Sequence, residues 1–215
     1  MLSARASPNG NERIAPRACL DLPELTVERK CDHVGTEVEL VSHEVGKYLR
    51  LLVRNNCYIL EQVFSPIVVM GHDFLDQLRP LARRCITRHH YHPYQGFYAA
   101  QNKLIAKEQP KRAKPVLYAY RVLMTGIHLL RTGEVEANLL RLNEHFGFGF
   151  LGELIARKVT AENIALGEVD WSFHEARLTN LAAELDRAFA ESKLPKDRDR
   201  KSVHEFLVNL RLTNG

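Results

Sequence analysis

From His72 to the C-terminus the apolar residues return every third or fourth position, and this period commits most of the chain to helix. Phe74, Leu75, Leu78 and Leu81 mark one amphipathic helix, in which Pro80 predicts a kink or break. A longer helix takes Pro93 into its first turn and continues to about Lys107, where Gln109-Pro110 ends it. Lys114 to Arg131 carries the broadest apolar face: Val116, Leu117, Tyr120, Leu123, Met124, Ile127 and Leu130. After Thr132-Gly133 come Leu151–Val159, a short helix started by Thr160-Ala161-Glu162, a long helix over Asp170–Ser192 and a closing one over His204–Leu212. Phe173, Leu178, Leu181, Leu185 and Phe189 form the buried side predicted for the long helix. Phe146–Phe150 contains a G-x-G, but no strand precedes it, so it reads as a loop packed by its phenylalanines.

Strand signals are few. Leu25-Thr26-Val27 and Glu37–Val41, joined by a turn at Val34-Gly35, give two short strands, and the β-branched run Ile67–Met70, ended by Gly71, gives a third. So thin a sheet needs helices to cover it, and the predicted class is α+β: a reduced sheet followed by a mostly helical C-terminal domain. Residues 1–17 combine Ser, Pro, Asn, Gly and Arg with little to bury and read as a flexible tail. Their Arg and Ser content also fits a transit peptide, against which Glu12 and two prolines argue. Residues 18–71 then hold the sheet and 72–215 the helical domain.

With 215 residues, 45% hydrophobic and 26% charged, the chain has room for one ordinary domain or two small ones and a sizeable core. A net charge of +4 is compatible with a nucleotide or nucleic-acid ligand without demanding one. Cys19, Cys31, Cys57 and Cys85 are scattered, with no C-x-x-C pair, which argues against a zinc knuckle or a disulfide framework and for reduced thiols. No apolar run approaches a membrane span, so no membrane partner is expected and the cytoplasm is the default compartment. The catalytic triads, H-E-x-x-H and the P-loop are all missing from the helical half.

Chemistry concentrates in two stretches. In the first, Val38–Pro66, a strand runs into a helix for which Ser42 is the predicted cap, with Glu44 in the first turn. Val45, Tyr48, Leu49 and Leu52 make its apolar stripe, Asn55-Asn56 interrupts it, and a second helix from about Cys57 to Phe64 stops at Ser65-Pro66. Glu39 stands between apolar neighbours on the strand, either on the solvated face of an edge strand or as a metal-facing carboxylate. In the second stretch, Lys114, Tyr118, Arg121, Thr125 and His128 are spaced by fours and threes. They make either a solvated face or a row whose ammonium and planar fork look across a cleft at a nucleotide triphosphate. His89, His90 and His92 lack the spacing of paired ligands and read as a partly exposed cluster or as contacts to a phosphate. Tyr91, Tyr94 and Tyr98, at helical spacing, are either core or a stacking platform.

A resemblance runs through the same stretches. Val38-Glu39-Leu40-Val41-Ser42, Lys47–Leu52, Asn55, Leu60-Glu61 and Phe64-Ser65-Pro66 resemble the predicted nucleotidyltransferases of the DNA polymerase β superfamily, in the RNA-ligase-associated branch. Tyr94-Gln95-Gly96-Phe97 with Gln101, the helix of Lys114, Tyr118 and Arg121, and Ser192-Lys193-Leu194-Pro195 extend the similarity over roughly Leu22 to Leu210. In such enzymes an Asp-x-Asp and a third acid from a neighbouring strand hold Mg²⁺, and Glu39 matches the third position. The resemblance thus implies that residues 18–71 are a partial nucleotidyltransferase core, that Glu39 is a catalytic metal ligand, and that Lys114, Tyr118 and Arg121 bind the nucleotide. Tyr118 stands where similar proteins often carry a histidine.

Residues 1–23 contain neither Gly-Ser nor Asp-x-Asp, so by this reading the chain is N-terminally shortened or degenerate. The activity implied is Mg²⁺-dependent transfer of a nucleoside monophosphate from an NTP to an unknown hydroxyl, on RNA, a protein or a small molecule. The alternative is a catalytically degenerate module that binds nucleotide, RNA or a partner.

Overall fold

A single buried helix organises the larger part of the molecule. In the computed structural model, which describes residues 26–33, 35–160 and 165–213, this is α5 (Ala113–Thr132). Tyr120, Leu123, Met124, Ile127, Leu129 and Leu130 are all withdrawn from solvent. Those residues point in every direction around the helix, so α5 is surrounded rather than laid on a surface. It packs against α4 (Tyr91–Lys107), α6 (Leu139–Phe146), α7 (Gly149–Thr160) and α8 (Glu168–Glu191). Gly126 permits the closest approach: a Cβ there would lie 3.0 Å from Tyr94 Cβ on α4 and 3.0 Å from Leu185 Cδ1 on α8. Gly133, at φ 76°, ends α5 in the left-handed conformation.

The remaining elements are β1 (Thr26–His33), β2 (Thr36–His43), α1 (Val45–Val53), α2 (Cys57–Val63), α3 (His72–Arg83) and α9 (Arg200–Thr213). The described residues divide into two compact units, one running from β1 to Leu49 and taking in Lys201 onward, the other Arg50–Arg200. In the first, β1 and β2 pair as an antiparallel hairpin with Lys30 opposite Glu39 and Asp32 opposite Glu37. Glu28, Lys30, Asp32, Glu37 and Glu39 therefore share one face, and Val27, Cys31, Val38 and Leu40 share the other. The class is α+β, a small sheet followed by helices.

Several expectations change. Ser42 lies inside β2, and the cap of α1 is Glu44, whose Oε2 accepts from the Lys47 N–H at 3.0 Å. Its Oε1 accepts from Arg211 Nη2 at 2.7 Å. Burial works against charge on Glu44, but hydrogen bonds from the Gly46 backbone, Arg211 and the Lys47 backbone outweigh it and hold the carboxyl below its ordinary pKa. Ile67–Met70 is not a strand: it has no pairing among the described residues, and Ile67, Val69 and Met70 are 82%, 88% and 85% exposed. β-branched composition suits a pleated surface but supplies no neighbouring strand to pair with. Pro80 does not end α3, which runs on through it to Arg83. Phe173 is 41% exposed, and His174 takes its place on the buried side of α8.

Of the three neighbouring histidines, His90 is wholly buried, while His89 and His92 stack on each other with ring centroids 5.8 Å apart. The tail over residues 1–17, Leu25 of the first strand, Val34 of the turn, Cys19 and the helix start at Ala161-Glu162 lie outside the described residues. Among the described residues no helix is long and apolar enough to cross a membrane.

Candidate functional site

The row Lys114, Tyr118, Arg121, Thr125, His128 lies along α5 at the expected spacing, but its members meet different surroundings. Thr125 is fully buried, and its Oγ1 has no hydrogen-bond partner among the described residues. His128 is half-buried, with the His145 ring 5.1 Å away, and burial followed by that neighbour lowers its pKa.

Arg121 is locked into a network. Its Nη1 donates to Glu61 Oε2 at 2.7 Å, the two side chains being only 22% and 13% exposed. The other Glu61 oxygen accepts from the buried Tyr94 hydroxyl at 3.1 Å. Burial works against charge on Arg121, but the Glu61 carboxylate more than offsets it and keeps the guanidinium protonated. The same guanidinium lies 4.9 Å from the centre of the Tyr118 ring, and the Tyr118 hydroxyl is 2.6 Å from that of Tyr58 on α2. Cys57, one residue earlier, is buried, and burial followed by the Glu61 charge pushes its thiol up to about 12, so it is inert at neutral pH.

One turn before Tyr118 the row opens into a cleft between α4 and α5 with a volume of about 560 Å³. Gln101, Lys107 and Glu108 line it from one side and Arg112, Lys114 and Tyr118 from the other. Arg112 forms an ion pair with Glu108 across the α4–α5 connection, and that hydrogen bond holds the Glu108 carboxyl below its ordinary pKa. Among the described lining residues three cations stand against one carboxylate, a basic balance. The structure thus brings Lys114 and Tyr118 to one cleft, whereas Arg121 is not among its lining residues and stands behind Tyr118 instead.

Glu39 sits in the other unit, on the acidic face of the hairpin. Its carboxylate is 58% exposed and faces Lys30 Nζ at 3.3 Å, and Glu37 lies 3.9 Å from the same ammonium. Among the described residues no group of three or more His, Cys, Asp or Glu is placed to hold a metal ion.

Residues 24–209 match the RNA repair pathway DNA polymerase beta family. The chain belongs to that family. A protein of Methanocaldococcus jannaschii described as uncharacterized is 32% identical over 109 residues, which are 51% of this chain and 42% of that relative. The aligned part thus spans less than half of the relative's length. No solved structure matches.

For a polymerase beta-family chain, the network around Glu61 is what reasoning from the sequence missed. Glu61 and Tyr94 carried the resemblance without a role, because nothing local ties a carboxylate on α2 to a guanidinium 60 positions later. Lys107 and Arg112 were legible in principle as cations flanking the Gln109-Pro110 break, where one helix ends and the next begins at the same cleft.

Proposed function

We propose that this polymerase beta-family chain binds a nucleoside triphosphate in the α4–α5 cleft, with the polyphosphate against Lys107, Arg112 and Lys114. One observation carries the reading: three cations from two helices and their connection converge on one concave surface beside a tyrosine. Phosphate oxygens suit both a point-charge ammonium and a planar guanidinium fork. Arg121 is a positioning residue in this reading, backing Tyr118 while Glu61 holds it. The reaction proposed from family membership is transfer of a nucleoside monophosphate to a hydroxyl of RNA, a protein or a small molecule, in a cytoplasmic setting.

That reaction calls for Mg²⁺, with Glu39 as the ligand assigned by resemblance. The described residues do not fit the three-carboxylate set implied, since the Glu39 carboxylate faces Lys30 and no metal-holding group of three acids is formed. The same observation favours a second reading, in which the chain binds nucleotide or RNA without transfer.

Titration calorimetry with ATP in the absence of divalent metal tests the cleft. Saturable one-to-one binding is expected, and Lys114→Glu, on an exposed helix position, should weaken it at least tenfold without lowering the thermal midpoint by more than a degree or two. Equal affinity in wild type and variant would remove the cleft from nucleotide binding.

A further inference from the structure

We infer that Tyr58, Phe97 and Tyr118 form the base-binding end of this cleft, a stacking subsite that sets the direction in which a nucleotide lies. The inference rests on the reading of the cleft as a nucleotide site and adds the placement of the base. The three rings come from three helices and meet at one point. The Tyr58 and Phe97 centroids are 4.5 Å apart at 49°, and Tyr58 bonds Tyr118 hydroxyl to hydroxyl at 2.6 Å. Their burial is unlike that of the structural tyrosines: Tyr94 and Tyr120 are 0% exposed, whereas Tyr58 is 43% exposed and Phe97 and Tyr118 are half-buried.

The position of the cluster follows from helical spacing. On α4, Phe97 is one turn before Gln101 and about 15 Å along the axis from Lys107. On α5, Tyr118 is one turn beyond Lys114. Of the three rings Tyr118 lines the cleft, beside Gln101, and Tyr58 and Phe97 adjoin that end through Tyr118 and the turn of α4 before Gln101, whereas Lys107, Glu108 and Arg112 line the other end. Aromatic at one end and cationic at the other, the cleft matches a planar base joined to a polyphosphate.

Arg121 supports the arrangement from behind, its guanidinium 4.9 Å from the Tyr118 ring centre and anchored by Glu61. The Tyr58–Tyr118 hydrogen bond fixes two rings that would otherwise lose rotamer freedom on binding, which is preorganisation. Ring faces read no base identity, so the subsite accepts any nucleobase, purines with their larger face more tightly than pyrimidines.

The test compares ATP, UTP and inorganic tripolyphosphate on wild type, Tyr58→Phe and Tyr58→Ala, by calorimetry without divalent metal. Tyr58→Ala should weaken ATP about tenfold and leave tripolyphosphate unchanged, while Tyr58→Phe, which keeps the ring, should hold ATP within about threefold. Phe97→Leu, which keeps apolar volume, is the second probe and should reproduce the selective loss of ATP. If ATP and tripolyphosphate both bind wild type and the alanine and leucine variants bind ATP normally, the aromatic subsite is wrong and the cationic cleft stands. If neither ligand binds wild type, the underlying reading fails with it.

Discussion

Glu61 is the carboxylate on which the helical unit has most to lose. It takes the Tyr94 hydroxyl on one oxygen and the Arg121 guanidinium on the other, in surroundings from which most water is excluded. Removing one member of such a pair leaves the other charge buried without compensation. Arg121→Ala should therefore cost about 3 kcal/mol in urea unfolding, and Glu61→Ala a similar amount. The double variant should lose clearly less than the sum, because no charge is then left stranded. Additive losses would mean that the two groups do not act as a pair. His90 makes a separate prediction. It is 0% exposed, its Nε2 has no hydrogen-bond partner among the described residues, and burial lowers its pKa from 6.5 to about 4. The unfolded chain then takes up a proton that the folded chain refuses, so stability is unaffected above about pH 6.5 and falls as pH drops from there toward 4. The loss over that window is about 3 kcal/mol. His90→Gln, which cannot titrate, should flatten the dependence of the urea midpoint on pH by close to one proton, and an unaltered slope would assign the acid sensitivity elsewhere.

At the scale of elements, two glycines inside helices make opposite predictions. Gly96 on α4 and Gly126 on α5 both carry the helix-interior penalty of about 0.5–1 kcal/mol relative to alanine. A Cβ at Gly96 would meet nothing within 4 Å, whereas one at Gly126 would press on Tyr94 and Leu185. Gly96→Ala should raise the thermal midpoint by a few degrees, and Gly126→Ala should lower it by more, since the tight α4–α5–α8 packing must spread to admit a methyl group. Equal effects in the two variants would contradict the packing described for α5. The elements also mark how far local signals carry. The apolar period that identifies α5 and α8 is repeated over many turns, and both helices form within a few residues of the expected bounds. Ile67–Met70 has strand composition over only four residues, and no partner strand among the described residues meets it. Ser42 is a better cap than glutamate by intrinsic preference, yet the strand runs through it, and Glu44 caps with Arg211 as a second partner 167 positions away. Such long-range pairs leave no periodic trace in the sequence, which is also why the Glu61–Arg121 pair was illegible while the residues of the Lys114 row were not.

For the molecule as a whole, the division of chemistry between the two units leads to a separable test. The one acid that resemblance assigns to metal, Glu39, lies in the hairpin unit, and the cations proposed for the polyphosphate lie in the helical unit. Glu39 shares Lys30 with Glu37 at the surface, where an ion pair contributes at most about 1 kcal/mol, so Glu39→Ala should barely alter the thermal midpoint of the free protein. It should also leave ATP binding in the absence of metal unchanged, because none of the described lining residues of the cleft belongs to the hairpin. Addition of Mg²⁺ separates the two readings of the family relationship. In a transfer-competent protein Glu39→Ala weakens ATP binding in the presence of Mg²⁺; in a module that only binds, Mg²⁺ acts through the ATP phosphates alone and changes the affinity of wild type and variant equally. With ATP at about 100 times its Kd, binding adds about 2.7 kcal/mol to stability, enough for a thermal-shift titration to register either pattern. Loss of metal-free ATP binding in Glu39→Ala would place the acid in the nucleotide site itself and overturn the assignment of that site to the α4–α5 cleft.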